Sequence, residues 1–291
     1  MNTPPHCIVV THTHERIART LMGVACQSLP AGSITIAADT DDQEIHRQVQ
    51  QAADRTGTPM RLVLRARCAE SRRAQNRNNA VRALLESGVA PDSKIIFYDG
   101  DCIPDFNCNH AHMDTLARSD VSLGWAVRLT PGQTDEIDDE QILAGRIGSM
   151  MNPAQTRDAI AVDRRTRKRI FLRRFGLTKP HKPGILSGNF ALGLERFVAV
   201  NGFDESFTGW GAEDDDIARR LYMTGSKPGS SMRTASVFHQ HHPSEAPTEW
   251  SQAPNSDRLK EKAPARADLG LDHPMSQPEP IVRMITPCGS R

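Results

Sequence analysis

No apolar run in this chain approaches the ~20 residues that a membrane-crossing helix needs. The opening stretch Cys7-Ile8-Val9-Val10 is too short for a span or a signal core, and no basic flank precedes it. An excess of one charge is missing as well. Lys and Arg number 36 against 35 Asp and Glu in 291 residues. That balance argues against a dedicated nucleic-acid binder, which would carry a basic footprint. The six cysteines form no CxxC pair and no disulfide framework, so free thiols in a reducing compartment are expected. There is no HExxH zinc motif, no internal repeat, and no Gly-rich, Lys-bearing phosphate loop; the first apolar run ends instead in Thr11-His12-Thr13-His14. These absences predict a soluble, cytoplasmic protein with enough chain to bury a substantial core.

What is present reads as alternating strands and helices. Strands are expected over 7–10, 34–38, 60–64 and 94–98, with helices at 17–25, 42–55 and 74–86 between them. That order means a mostly parallel sheet with helices on both faces, an α/β Rossmann-like class. Ligands of such sheets bind beyond the carboxyl ends of the strands, where Thr11, Asp39 and Asp99 fall. A further strand is expected over 121–129. Residues 131–183 are polar and weakly periodic and predict helices or a mobile segment. Beyond Pro243 the chain is rich in Pro, Ala and charge, which predicts an irregular tail packed loosely or disordered.

Three polar clusters carry chemistry. Trp210-Gly211-Ala212 is followed by four consecutive carboxylates, Glu213 to Asp216, ahead of an amphipathic helix that places Ile217 and Leu221 on one side. A plain helix N-terminus would also favour acids there. Asp99-Gly100-Asp101 ends a strand with two carboxylates that can reach one divalent ion, or an ion and a ribose; ordinary turns use the same triplet. His239-Gln240-His241-His242-Pro243 offers imidazoles that suit Mn²⁺ together with the Asp101 oxygen, although solvated loops also hold such clusters. A carboxylate near a bound metal–diphosphate and shielded by Trp210 could act as a base. Trp210 suits a sugar ring or a core anchor equally. Arg77-Asn78-Asn79, early in its helix, is either a solvated helix surface or the segment that places Arg77 near the nucleotide and the Asp99-Gly100-Asp101 turn.

Taken in order, these pieces resemble a GT-A-fold glycosyltransferase of the family-2 type with the C-terminal signature of the family-7 β-1,4-galactosyltransferases. The residues that carry the resemblance are Ile8-Val9-Val10-Thr11, Arg77-Asn78, Phe97 through Pro104, and Ser187 through Leu192. They continue with Asn201 through Phe207, Gly209 through Asp216, and His239 through Pro243. The resemblance implies a GT-A domain over 5–243, with a nucleotide-binding half at 5–105, a variable basic insert at 131–183, an acceptor and catalytic half at 184–243, and a Pro-rich tail at 244–291. It implies inverting transfer of galactose or an N-acetylhexosamine from a UDP-sugar to a glycan or glycolipid hydroxyl, with Mn²⁺ or Mg²⁺ as cofactor. Asp214 would be the general base, and Asp101, His239 and His242 the metal ligands. Thr11, Asp39, Arg77 and Asp99 would meet the nucleotide; Asn189, Trp210, Gly211, Glu213 and Asp215 would line the sugar and acceptor side. Three features depart from the family pattern: Asp39-Thr40-Asp41-Asp42 in place of the usual paired-Asp form, His12 and His14 after the first strand, and the insert.

Between Arg164 and Lys182 stand nine Lys or Arg residues and no acid. This stretch fits a solvated helix face, an anionic acceptor, or peripheral contact with an anionic membrane at its cytoplasmic face; a nucleic-acid partner is not expected. The reading from another class is a non-catalytic nucleotide-sugar-binding or scaffold protein of glycan assembly.

Overall fold

The structure, a computed structural model, describes residues 3–289 except 41, 69, 244–254, 256 and 262. Its first half alternates as expected: β1 (His6–Thr11), α1 (Ile17–Ala25), β2 (Ser33–Ala38), α2 (Gln43–Thr56), β3 (Met60–Leu64), α3 (Arg73–Glu86) and β4 (Lys94–Asp99). There follow β5 (Cys102–Pro104), α4 (Cys108–Leu116), β6 (Val121–Leu123), β7 (Trp125–Arg128), α5 (Pro131–Asp135), α6 (Asp139–Leu143) and α7 (Pro153–Arg173). The chain closes with β8 (Asn189–Gly193), α8 (Leu194–Ala199), α9 (Glu213–Met223), β9 (Pro228–Ser230), β10 (Ser236–His239) and β11 (Ile281–Ile285).

Eight strands form the main sheet in the order β11-β3-β2-β1-β4-β8-β6-β9. The run β3-β2-β1-β4 is parallel, whereas β8 is antiparallel to both β4 and β6. Cys7 to Val10 are buried on both faces, as the continuous apolar reading of a helix-covered strand requires. One face carries Ile17 and Leu21 of α1, Ile45 and Val49 of α2, and Cys108 of α4. The other carries Val81 and Leu84 of α3, Phe197 of α8, and Ile217 and Leu221 of α9. Under the site lies an aromatic floor: Phe97 stacks on Phe190 at 4.8 Å between centroids, and Phe203 meets both edge-on. Such pairs each add ~0.5–1.5 kcal/mol beyond the area they bury.

The expected strand at 121–129 is two strands in different sheets. The break falls at Gly124, where a Cβ would collide with the side chain of Asn189. Asn189 Nδ2 donates to the carbonyls of Trp125 and Ala235 at 2.9 Å each, while its Oδ1 lies 2.8 Å from His112 Nε2. Asn189 is therefore fully buried, holding the main sheet against the small sheet β5-β10-β7. Its expected place against substrate is corrected: its polar atoms are already used.

The insert is helical. α5 and α7 each begin with Pro at the first position behind a capping box, Thr130 with Gln133 and Asn152 with Gln155. The tail also departs from expectation in its described part. Leu271 joins the core, and β11 adds an antiparallel edge to β3, with Ile281 opposite Leu64 and Ile285 opposite Met60.

Much of this rests on the first half of α3. Gln75, Asn76, Arg77, Asn78 and Asn79 are all buried, so the solvated-surface reading of Arg77-Asn78-Asn79 fails. Asn76 Nδ2 donates to the carbonyls of Thr11 and Ala37 at 3.1 and 3.0 Å. Asn78 bonds both backbone atoms of Phe203 at 2.8–2.9 Å and Glu205 Oε1 at 2.9 Å. Gln75 reaches Glu205 and the Met275 carbonyl. Polar side chains thus link the strand ends, the loop before α9 and the tail, because each buried backbone group needs a partner.

Candidate active site

A cleft of about 720 Å³ opens at the carboxyl ends of β1, β2 and β4. Thr11, Asp39, Asp99 and Asp101 line it from the strand ends, Arg77 from α3, Trp210 to Asp215 from the start of α9, and His239 and His242 from the far side. Every expected site residue borders this space except Asn189.

The small sheet brings the histidines to the aspartate turn. β10 runs antiparallel to β5 with His239 opposite Cys102, and Gln240 N–H donates to the Asp101 carbonyl at 2.9 Å. Asp101 Oδ2 then lies 3.1 Å from His242 Nε2 and 3.6 Å from His239 Nε2. His242 Nδ1 is 2.8 Å from the Pro243 carbonyl. A carbonyl only accepts, so Nδ1 carries its proton and Nε2 faces Asp101. This is the tautomer that a metal-ligating histidine needs. Cys102 Sγ also stands close, since one ligand atom each from Asp101, Cys102 and His239 lies within 4.8 Å of the others. One oxygen and two imidazole nitrogens form a donor set that fits a borderline-hard ion such as Mn²⁺. Burial alone would raise the Asp101 carboxyl. The His242 hydrogen bond and the His239 charge outweigh it, so the carboxyl is held at about 2. His242 is raised by the same bond.

Opposite stands the acid run. Gly209, Gly211 and Ala212 all have positive φ, 76°, 93° and 72°. Ala212 pays the strain of this region for a residue with a Cβ, as buried segments near functional sites often do. The first turn of α9 directs the four carboxylates apart. Glu213 Oε1 lies 3.6 Å from Arg77 Nη1. Asp214 Oδ2 accepts from the Ser187 N–H at 3.3 Å. Asp215 is held by Lys182 Nζ at 3.0 Å, with His181 at 3.9 Å. Asp216 turns inward to Arg219 and Arg220 at 2.8 and 2.7 Å, a buried structural pair.

Arg77 is the cation at the centre. Its Nη2 donates to Asp99 Oδ1 at 3.0 Å and to Ser187 Oγ at 2.6 Å. A Cβ at position 188 would strike the Asp99 carboxylate, so only Gly188 lets that group lie against the backbone. Asp214 is the most perturbed acid of the cleft. Burial raises it first and the Glu213 charge adds to this; Arg77 and Ser187 oppose them, and the carboxyl stands at about 7. Its Oδ1 is buried without a hydrogen-bond partner among the described residues. A carboxyl so poised can exchange a proton near neutral pH.

Asp39 sits less freely than expected, because the buried guanidinium of Arg65 at the end of β3 pairs with its Oδ1. Arg65, Ser187 and Lys182 went unassigned in the sequence. Ser187 lay inside a recognised motif but carried no sign of its contacts. Lys182 is separated from Asp215 by too much chain for spacing to join them.

Residues 169–243 match the family model described as the N-terminal domain of galactosyltransferase. Human (Homo sapiens) β-1,4-galactosyltransferase 2 is 40% identical over 58 residues, 20% of this chain and 15% of that protein. Mouse (Mus musculus) β-1,4-galactosyltransferase 1 is 42% identical over 52 residues, 18% and 13% of the two chains. The match thus spans about a seventh of the length of these relatives. The solved structure of GalNAc-T7 with UDP, GalNAc and Mn²⁺ superposes with a TM-score of 0.53 at 13% identity, covering 83% of this chain and 44% of that one. The fold is that of the GT-A glycosyltransferases, and the family-7 resemblance holds over the segment that carries α9 and the histidines.

Proposed function

We propose that the chain is a metal-dependent glycosyltransferase that inverts the donor sugar, moving galactose or an N-acetylhexosamine from a UDP-sugar to a hydroxyl of a glycan or glycolipid. The observation that carries this reading is the convergence of Asp101, His239, His242 and Asp214 on one cleft. A GT-A fold and relatives that are galactosyltransferases support it.

In a single displacement the acceptor oxygen bonds to the anomeric carbon while the bond to the diphosphate oxygen breaks on the opposite face. The acceptor proton goes to Asp214, whose value of about 7 suits proton transfer at neutral pH. Such assistance contributes ~10²–10⁴-fold. Oδ1 is covered and has no hydrogen-bond partner among the described residues, so Asp214 would have to turn toward the acceptor for that oxygen to take the proton. Arg77 holds Asp99 and, through Ser187, the turn before β8 whose N–H meets Asp214. Trp210, which borders the cleft, would pack on a sugar ring and exclude water. A divalent ion held by Asp101, His239 and His242 would supply positive charge to the departing diphosphate. Asp215, held by Lys182, borders the acceptor side.

The test is UDP release from UDP-galactose, UDP-GalNAc, UDP-GlcNAc and UDP-glucose, each with Mn²⁺ and with chelator. Release from one donor, dependent on the metal, is expected. Tight UDP binding with no release from any donor, with or without oligosaccharide acceptors, would instead assign a binding or scaffold role.

A further inference from the structure

The end of α7 carries a surface that the cleft does not use. Phe171, Phe175 and Leu177 are 57%, 62% and 68% exposed. The two rings meet edge-on at 5.2 Å, one helical turn apart. Around them Arg164, Arg165, Lys168, Arg169, Arg174 and Lys179 are exposed, and none has an ion pair among the described residues. No acid occurs from 164 to 182. The neighbouring groove adds Arg118 and Arg233, with Asp105 and Asp114 also on its lining.

The patch is held in shape from behind. Arg173 stacks over Tyr222 at 4.2 Å and donates to the carbonyls of Pro180 and Lys182 at 2.9 and 3.0 Å. Thr166 and Asp163 are buried on the inner side, where Asp163 accepts from Ser230 Oγ at 2.7 Å. A solvated helix face has no need of bare phenylalanines. A single-strand nucleic-acid site would present separate rings as stacking platforms, whereas these two rings are set edge against face, and the whole chain carries a net charge of only +1. Rings and a leucine ringed by free cations match the interface of an anionic bilayer, where apolar groups enter below the headgroups and Lys and Arg meet phosphates.

We infer that the 164–179 surface docks the protein peripherally on an anionic phospholipid membrane through Phe171, Phe175 and Leu177 with their basic surround. Leu177 is five residues from Lys182, so the patch lies within ~18 Å of the residue that holds Asp215. On the catalytic reading given above, docking would bring the acceptor side of the cleft close to lipid-borne hydroxyls; the docking itself does not depend on that reading.

The full chain is sedimented, without donor, with phosphatidylcholine vesicles that contain or lack phosphatidylglycerol, at low and high salt. Binding to the phosphatidylglycerol vesicles alone is expected, and it should weaken as salt rises. Phe175→Ser with Leu177→Ser should lower affinity at least ~10-fold. Lys168→Gln, Arg169→Gln and Arg174→Gln together should lower it about 100-fold, at roughly fivefold per charge. Both variants should keep the parental melting temperature and UDP affinity, so loss of binding reports the surface rather than the fold. No binding to anionic vesicles at low salt overturns the inference. So does binding that ignores the Phe175 and Leu177 changes, or tighter binding to a single-stranded oligonucleotide than to vesicles.

Discussion

Replacing Asp214 by Asn removes a titrating group from the cleft and should move activity and stability in opposite directions. The carboxyl stands at about 7 against an ordinary 3.8, with burial and then Glu213 as the causes. Those three decades correspond to an upper bound of about 4 kcal/mol against the ionised form, at ~1.4 kcal/mol per decade. The sign follows from proton binding. The folded state holds the proton more tightly than the unfolded chain, so stability is complete below about pH 4, drains as pH rises to about 7, and is level above it. Asn carries no charge and keeps an oxygen for the Ser187 N–H. Its amide meets an imperfect environment, so we expect a net gain of roughly 1–2 kcal/mol above pH 7 and a melting temperature higher by roughly 2–3 °C. At about pH 5 the gain should be clearly smaller. Transfer should meanwhile fall ~10²–10⁴-fold while UDP binding persists; in the parent, transfer should climb with pH to a plateau just above neutrality. Thermal melts at the two pH values, paired with UDP-release rates, give both quantities. A variant that melts lower than the parent at pH 8, or that still transfers sugar near the parental rate, refutes the argument.

Two further outcomes follow from the geometry. His242→Ala removes the imidazole 3.1 Å from Asp101 and should weaken Mn²⁺-dependent UDP binding at least ~10-fold in calorimetry, with metal-free binding unchanged; equal Mn²⁺ dependence in variant and parent would rule out His242 as a ligand. Ending the chain after residue 266 removes β11 and Leu271, together with the partners of Gln75, Arg82 and Asn79. We expect a loss of several kcal/mol, read as a lower denaturant midpoint; an unchanged midpoint would mean that these contacts contribute nothing.

The parts of this fold visible in the sequence are those with a local signature. Cys7 to Val10 and Lys94 to Tyr98 read as strands because a helix-covered strand is apolar throughout. The three polar clusters stood out because they were short motifs bounded by apolar structure, and all three border the cleft. What stayed hidden depends on partners far away in the chain. Arg77-Asn78-Asn79 has the composition of a solvated surface and is buried, because its partners, Ser187, Phe203, Glu205 and Gln277, come from the second half of the chain. Asn189 matched a substrate-facing motif, but its side chain closes the seam between two sheets, a need that arises only once Gly124 ends one strand and begins another. Four adjacent acids show the same limit most sharply. Their spacing of ~100° around a helix guarantees that they diverge, so one run of like residues must perform different tasks. On the proposed mechanism, which acid would serve as the base is decided by what each meets: Arg219 and Arg220 keep Asp216 paired, Lys182 holds Asp215, and Asp214, with only the Ser187 N–H and a shared cation, has its carboxyl raised to about 7.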